Sequence, residues 1–306
     1  MTLKQAITTA GIGLAALALA ACGANSDPLA QPSTQPSQAG AAIVVGSANF
    51  TENQILAEIY SQALVAKGVT SSTKPNIGSR EVYIKALQDK SISIVPEYTG
   101  NLLQYFDKAT TATTAEEIDA ALPKAVGTDL RVLKASKAAD QDVYVVTKTF
   151  ADKNGIASLD DLKKVSASAT LGGPSELKDR AYGPPGLESI YGAKFKSFKP
   201  YDSPAVKVKD LNDDKIQVAT FFTTDAAILD NGYVPLTDPQ SMILPQNVVP
   251  LVRSDVADNP TAVSALEAVQ AALTTEELTV LNKAVDVERK DANAVAGDWL
   301  KSKGLA

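Results

Sequence analysis

The 306-residue chain contains no histidine and a single cysteine, Cys22. Histidine is the commonest general base and a frequent transition-metal ligand, so its absence excludes Ser-His-Asp and Cys-His nucleophiles. It also excludes zinc sites that use histidine or several cysteines. Asp and Glu side chains remain as ligands for Ca²⁺ or Mg²⁺, but no EF-hand-like loop is present. The sequence therefore predicts neither an enzyme nor a metal site.

Positive charge is neither abundant nor clustered. The chain has 29 Lys and Arg against 35 Asp and Glu, a formal net charge of -6. A groove for nucleic acid needs a basic stripe, so no nucleic-acid partner is expected. The composition, 45% hydrophobic and 21% charged, is that of an ordinary globular protein. A chain of this length can build two lobes.

Long apolar runs are confined to the beginning of the chain. Lys4 is the only charge in the first twenty-two residues, and the apolar run Ala10–Ala21 is too short to span a bilayer comfortably. This pattern predicts a signal peptide over residues 1–21. The run ends in Leu-Ala-Ala-Cys, which resembles a bacterial lipobox and predicts that Cys22 is lipidated and becomes the mature N-terminus. The alternative is a plain signal peptide with a chance cysteine.

Residues 22–42 are rich in Pro, Ser, Gln and Ala and carry one charge. Such a segment cannot bury a core, so it predicts a flexible tether behind the lipidated cysteine. The folded body is then expected outside the cytoplasm, held at a membrane by its lipid anchor.

Apolar strand patterns alternate with helical patterns through the rest of the chain. Strands are expected at Ala42–Ser47, Ser91–Val95, Asp142–Phe150 and Asn247–Arg253, and the residues after 260 are expected to be helical to the end. Helices that alternate with strands in this way flank a parallel sheet. The fold class is therefore α/β, with two units that share no sequence repeat.

Polar residues follow several predicted strands. In "IVPEYTGNLL", Pro96 should stop the strand, because proline cannot donate to a central ladder, and Glu97–Thr99 then stand at the strand end. Thr223–Asp225 and Gly172–Gly173 occupy similar places. Ligands of open α/β sheets bind at such strand ends. None of these strand ends carries G-x-G-x-x-G or a P-loop, so no cofactor is expected.

Aromatic rings near these strand ends suit a cationic ligand. Tyr98, Tyr182, Tyr201 and Phe222 are candidates, since an aromatic face attracts a quaternary ammonium group by about 0.5–2 kcal/mol. The alternative is that each ring belongs to the core or its rim. For Glu97 the expected role is to fix the loop.

Four segments resemble the substrate-binding proteins of osmoprotectant ABC importers: "VGSANFTENQILAEIY", "VPEYTGNLL", "GPPGLESIYGAKF" and "FFTTDAAI". Members of that family bind glycine betaine, choline, carnitine and related quaternary amines and deliver them to a membrane permease. The resemblance implies a monomeric, two-lobed periplasmic-binding-protein fold of type II, with a ligand cleft between the lobes. It places one lobe at residues 43–142 and 249–306 and the other at 143–248. Two crossing strands are expected near residues 142–147 and 241–249. The ligand-binding residues that it implies, together with the candidate rings, are Asn49, Asn53, Arg80, Tyr98, Thr99, Arg180, Tyr182, Tyr201, Phe222, Thr223 and Thr224.

The chain departs from this family pattern at three positions. Ala48 stands where many members have Lys, and Val95 and Phe222 stand where many have Tyr. A ligand carboxylate would then need Arg80 or Arg180. The departures leave open a second ligand class, a planar aromatic or polyhydroxylated compound. Two other classes of function also stay open: a receptor-like or adhesion module with the same fold, and an enzyme.

Overall fold

The computed structural model describes residues 42–306. The predicted signal peptide, the lipidation site at Cys22 and all but the last residue of the predicted tether lie outside the described residues. The strands are β1 (Ile43–Ala48), β2 (Ser71–Gly78), β3 (Ile94–Tyr98), β4 (Leu130–Val132), β5 (Asp142–Val146), β6 (Thr170–Gly173), β7 (Ser197–Pro200), β8 (Val218–Phe222), β9 (Val234–Pro235) and β10 (Val248–Arg253). The helices are α1 (Thr51–Ala66), α2 (Arg80–Gln88), α3 (Thr99–Phe106), α4 (Ala115–Ala125), α5 (Lys148–Asn154), α6 (Pro184–Tyr191), α7 (Pro204–Asn212), α8 (Ala226–Asp230), α9 (Ser254–Ala257), α10 (Pro260–Ala272), α11 (Thr275–Asp286) and α12 (Ala292–Lys303).

The strands form two separate five-stranded sheets with the same arrangement. The first sheet has the order β2-β1-β3-β10-β4, with β1 parallel to β2 and β3 and with β10 antiparallel to its neighbours. The second has the order β7-β6-β8-β5-β9, with β5 in the antiparallel place. The predicted α/β class with two lobes is confirmed. The predicted lobe bounds, 43–142 with 249–306 and 143–248, stay a prediction.

The chain passes between the two sheets twice. It leaves the first sheet after β4 and returns to it with β10, and the two crossing segments pair through an antiparallel bridge between Ala139 and Asn247. The backbone N–H of Asp140 donates to the carbonyl of Gln246 at 3.1 Å. The two connections between the lobes therefore hold each other.

Pro96 does not stop the strand, contrary to the sequence prediction. β3 continues through it to Tyr98, and Pro96 lies opposite Pro250 of β10. The Pro96 carbonyl accepts a hydrogen bond from Asn53 at 2.9 Å, on the side away from β10. In a strand the N–H and C=O of one residue point to the same side, so the missing N–H costs no bond to β10.

The strand predicted over Asp142–Phe150 is shorter than expected. It ends at Val146, because the Thr147 hydroxyl accepts a hydrogen bond from the Phe150 N–H at 3.2 Å and caps α5. Two 3₁₀ helices follow in the second lobe, Leu159–Lys164 and Ser175–Asp179. A capping box of Ser158 and Asp161 begins the first of them.

Each lobe has its own apolar core. In the first lobe α1 buries Ile55, Leu56 and Ile59 completely, in a core that α10, α11 and α12 share. In the second lobe the buried ring of Tyr144 belongs to a separate core. Burial of each such side chain contributes about 1.5–3 kcal/mol to the stability of the fold. Each sheet is therefore a rigid support for the residues at its strand ends. Among residues 42–306, no helix combines the length and the apolar character needed to cross a membrane.

Candidate binding site between the lobes

The two lobes meet at their strand ends through direct polar contacts. The hydroxyl of Thr224, after β8 of the second lobe, donates to Glu52 Oε2 in α1 of the first lobe at 2.8 Å. On another part of the junction the Asn101 side chain, in α3, donates to Asp142 Oδ2, at the start of β5, at 2.7 Å. The structure therefore describes the protein with its lobes closed on each other.

Three aromatic rings from both lobes lie next to each other at this junction. The centroid of Phe50 is 5.0 Å from that of Phe222 and 6.0 Å from that of Tyr98. Phe50 was not predicted as a site residue; it holds the N-cap position of α1. Its extended backbone, just before the helix, places the ring beside the other two.

Tyr98 uses its hydroxyl inside the protein. The hydroxyl donates to Glu52 Oε1 at 2.7 Å, and the side chain is buried. Burial, together with the charges of Glu52 and Asp140, raises the pKa of Tyr98 well above its usual value. The part of Tyr98 that remains for a ligand is its ring.

Two buried carboxyl groups lie close to Tyr98. Glu52 accepts three side-chain hydrogen bonds, from Tyr98, Thr224 and Asn282 of α11. Asp140, in the first crossing segment, accepts from the Thr224 N–H at 3.1 Å through Oδ1, while its buried Oδ2 has no hydrogen-bond partner among residues 42–306. Burial raises the pKa of both carboxyl groups; the charge of Asp225 raises both further, and that of Glu52 also raises the pKa of Asp140.

Arg80 forms a two-bond ion pair with a neighbouring carboxylate. Its Nε and Nη2 donate to the two oxygens of Glu97 at 2.7 and 2.8 Å, and both residues are buried. Glu97 also accepts from the Tyr83 hydroxyl and from the Tyr98 N–H. Glu97 was expected to fix a loop, but it lies within β3 and ties α2 to the end of that strand. These bonds leave no free oxygen on that side chain.

Arg180 also pairs with a glutamate, and this pair joins the lobes. Its guanidinium, between the 3₁₀ helix and α6 of the second lobe, lies 2.7 Å from Glu81 in α2. Tyr182, two residues after Arg180, is buried. Its backbone carbonyl accepts a hydrogen bond from the Tyr144 hydroxyl at 2.6 Å. Burial raises the pKa of Tyr182.

Two predicted site residues bind backbone groups of the protein itself. Asn53 accepts from the Ala48 N–H at 2.7 Å and donates to the Pro96 carbonyl, so it ties together the ends of β1 and β3. The Thr99 hydroxyl donates to the Pro245 carbonyl and accepts from the Asn247 N–H, which ties α3 to the second crossing segment. Their role as ligand contacts stays a prediction.

The remaining predicted residues lie in different surroundings. Thr223 is exposed, and its hydroxyl donates to Asp140 Oδ1 at 3.2 Å. Asn49 is exposed just beside Phe50. Tyr201 donates to Asp210 of α7 at 2.7 Å and packs in the second lobe, so the structure does not bring it into contact with the three-ring cluster.

A cavity of about 260 Å³ borders the junction, lined in part by Asp142 and Thr223. No metal-binding group of His, Cys, Asp or Glu occurs among residues 42–306. Six residues at the junction were not predicted from the sequence: Phe50, Glu52, Asn101, Asp140, Asp142 and Asn282. Asp, Glu and Asn side chains usually lie at the surface, so only the folded arrangement shows that Glu52, Asn101, Asp140 and Asn282 are buried.

The chain is similar to known solute-binding proteins over nearly its whole length. Residues 41–302 match the OpuAC family, described as the substrate binding domain of ABC-type glycine betaine transport systems. The chain is 29% identical to the glycine betaine-binding protein YehZ of Escherichia coli (strain K12) over 291 residues, 88% of this chain and 93% of that protein. It is 26% identical to a glycine-betaine-binding protein of Pseudomonas aeruginosa over 305 residues, 94% of each chain.

Solved structures share the fold. A glycine betaine/carnitine/choline ABC transporter protein superimposes with a TM-score of 0.68 at 21% identity, covering 86% of this chain and 99% of that one. Lactococcal OpuAC in its closed, glycine betaine-bound conformation gives 0.63 at 17% identity, covering 86% and 96%. These matches confirm the predicted two-lobed periplasmic-binding-protein fold. With the family match over residues 41–302, they establish that this chain belongs to the OpuAC family, the substrate-binding domains of ABC-type glycine betaine transport systems.

Proposed function

We propose that this protein binds a quaternary amine between its closed lobes and delivers it to the permease of an ABC importer. The observation that carries the proposal is the contact of three rings, Phe50, Tyr98 and Phe222, beside the buried carboxylate of Glu52. Aromatic faces attract a quaternary ammonium group, and the attraction grows when water is excluded. Closure of two lobes over a ligand is a common device of binding proteins.

The names of the relatives support this class of ligand. YehZ and the Pseudomonas protein are both named for glycine betaine, and a structure with TM-score 0.64 is described as a choline-binding protein in complex with choline. In this proposal the protein is a carrier rather than an enzyme, and it works as a monomer without a cofactor. A planar aromatic or polyhydroxylated ligand remains the alternative.

The proposal includes an anchor. Cys22 carries the lipid, residues 22–42 form the tether, and the folded body works outside the cytoplasm beside the permease. The support is the Leu-Ala-Ala-Cys sequence after an apolar run. Cys22→Ser should release the protein from membranes; membrane association that persists unchanged in this variant would contradict the anchor.

Calorimetric titration with glycine betaine, choline, carnitine and an aromatic polyol tests the ligand class. Loss of the Tyr98 or Phe222 ring in an Ala variant should weaken binding of a quaternary amine about tenfold to a hundredfold, because a cation–π face and apolar contact are lost. Phe150→Leu, which changes a ring on α5 outside the junction, is the control. Tight binding of the polyol with no binding of any quaternary amine would favour the alternative.

A further inference from the structure

The arginines at the junction are already neutralised by the protein. Glu97 binds Arg80 through both oxygens, and Glu81 pairs with Arg180 at 2.7 Å. A ligand carboxylate that bound Arg80 through both Nε and Nη2 would have to displace a buried partner held by four hydrogen bonds. Arg180 retains an unsatisfied donor, its buried Nε, and Nη1 of Arg80 makes no hydrogen bond among residues 42–306.

Carboxylates at the junction are not neutralised in the same way. Glu52, Asp140, Asp142 and Asp225 form no ion pair with any Lys or Arg among residues 42–306. Asp140 is 3% exposed, and one of its oxygens is buried without a hydrogen bond. Such a group is costly to bury in its charged form, and a cation placed beside it offsets that cost.

One lysine lies nearby without an ion pair of its own. Lys207, in α7, donates to the Thr220 carbonyl at 2.6 Å, and its Nζ lies 4.1 Å from the centroid of the Phe221 ring. Burial lowers the pKa of Lys207, while the charges of Asp225 and Asp142 raise it. The junction thus holds four carboxylates without ion pairs, against one ammonium group.

From this imbalance, and resting on the proposed function, we infer that the cleft selects cations that carry no carboxylate over zwitterions, with Asp140 and Asp142 as the residues that impose the selection. Choline represents the first class and glycine betaine the second. Both ligands offer the same trimethylammonium group to the three rings. Only the zwitterion brings a further negative charge beside these four carboxyl groups. That charge opposes their ionisation, because like charges at close range repel strongly where water is excluded.

Proton release gives this selection a second signature. Asp140 faces Glu52 of α1, Asp225 before α8 and the Tyr98 hydroxyl, and burial with the two carboxylate charges raises its pKa. A cation within about 4–6 Å favours the ionised form, so binding of choline should expel protons.

Asp142 differs from Asp140 because cationic side chains also act on it. Its pKa is raised by burial, against the lowering effects of the Asn101 hydrogen bond and of the charges of Arg80, Arg180 and Lys207. Glycine betaine brings its own carboxylate and should expel fewer protons from the cluster than choline.

The test is calorimetric titration of the full chain with choline, glycine betaine and the neutral isostere 3,3-dimethylbutan-1-ol, in buffers of different ionisation enthalpy. The inference expects choline to bind at least tenfold more tightly than glycine betaine, with larger proton release. Asp140→Asn and Asp142→Asn keep the side-chain size and should shrink the preference for choline. Asp202→Asn, at an exposed position, is the matched control and should leave the preference unchanged.

The outcomes separate this inference from the proposed function. Glycine betaine binding as tightly as choline or more tightly overturns the inference alone, and loss of that betaine binding in Lys207→Gln or Arg180→Gln would identify the group that takes the carboxylate. Failure of every quaternary amine to bind, or equal binding of the neutral isostere, overturns the proposed function as well. Proton release is measured on the unsubstituted protein, so the inference stays testable if a variant fails to fold.

Discussion

Thr224 in the second lobe donates its hydroxyl to Glu52 in the first lobe at 2.8 Å, and Asn282 of α11 donates to the same carboxylate oxygen at 2.7 Å. One buried oxygen therefore joins both lobes to the C-terminal helices. The Thr224 N–H donates a hydrogen bond to Asp140 in the first crossing segment. Thr224 therefore also connects the second lobe to that crossing segment. The closed cleft is held by polar contacts between the lobes. In an open form the same groups would form hydrogen bonds with water.

Replacement of Thr224 by Val should loosen the closed form. The variant removes the hydroxyl but keeps the shape, so Glu52 loses one of its three donors, at a cost of about 1–3 kcal/mol for an unsatisfied buried group. Small-angle scattering of the unliganded variant should give a larger radius of gyration than the wild type. Thr128→Val, at an exposed position, is the control. An unchanged radius together with unchanged stability would show that this hydrogen bond does not hold the lobes together.

Asp140→Asn should stabilise the protein above neutral pH. The folded-state pKa of Asp140 is raised by burial and by Glu52 and Asp225, so its contribution to stability is fully present only below the unfolded pKa. That contribution is lost as the pH rises through the folded pKa. Thermal unfolding at pH 8 should therefore give a higher Tm for the variant, by about 2–4 °C for each kcal/mol gained, and the gap should close toward pH 4. A gap independent of pH would contradict this account.

The ion pair of Arg80 and Glu97 should behave as a structural pair. Removal of one partner from a buried pair costs about 3–5 kcal/mol because the other charge is left uncompensated. Arg80→Met alone should therefore destabilise strongly, and Arg80→Met combined with Glu97→Gln should recover most of the loss in urea unfolding. An Arg80→Met variant that folds normally and loses only ligand affinity would instead support a direct role of Arg80 in binding.

The sequence predicted the fold class and the general position of the site from patterns that act locally. Apolar strand patterns identified β1, β3, β5 and β10, and polar residues at strand ends identified the region where the lobes meet. The prediction that β3 ends at Pro96 was wrong, because the missing N–H of a proline matters only where it would face a neighbouring strand. The edge strand β2 has little apolar pattern of its own, so its sequence gives only a weak strand signal.

The groups to which the site residues form hydrogen bonds could not be predicted from the sequence. Asn53 and Thr99 look like ligand contacts in a strand-end motif, yet each is bound to backbone groups far away in the chain. The pairing of Glu52 with Thr224 spans 172 positions, and no local pattern reports such a contact. The edge of the sheet at which a ligand would bind could therefore be predicted from the sequence. The balance of charges at that edge could be read only from the folded structure.

Gly100 should be essential for the approach of α3 to the second crossing segment. A Cβ at this position would lie 2.5 Å from the Pro245 carbonyl oxygen and 2.6 Å from Leu244 Cβ, and the Gly100 N–H donates to that same carbonyl at 3.0 Å. Gly100→Ala should therefore push the crossing segment away from the first lobe. The expected loss is about 1–3 kcal/mol, the usual cost of overpacking, read from urea unfolding.

The matched control is Gly297→Ala in α12. The added Cβ there meets only the flexible end of Gln62, with Oε1 at 3.0 Å, and alanine favours a helix over glycine by about 0.8–1 kcal/mol. This variant should therefore be as stable as the wild type or slightly more so. Because Gly100 adjoins the segment about which the lobes move, its variant should also weaken ligand binding, while Gly297→Ala should not. Wild-type stability and affinity in Gly100→Ala would mean that the crossing segment shifts without cost, and that the spacing at Gly100 does not set the closed position of the lobes.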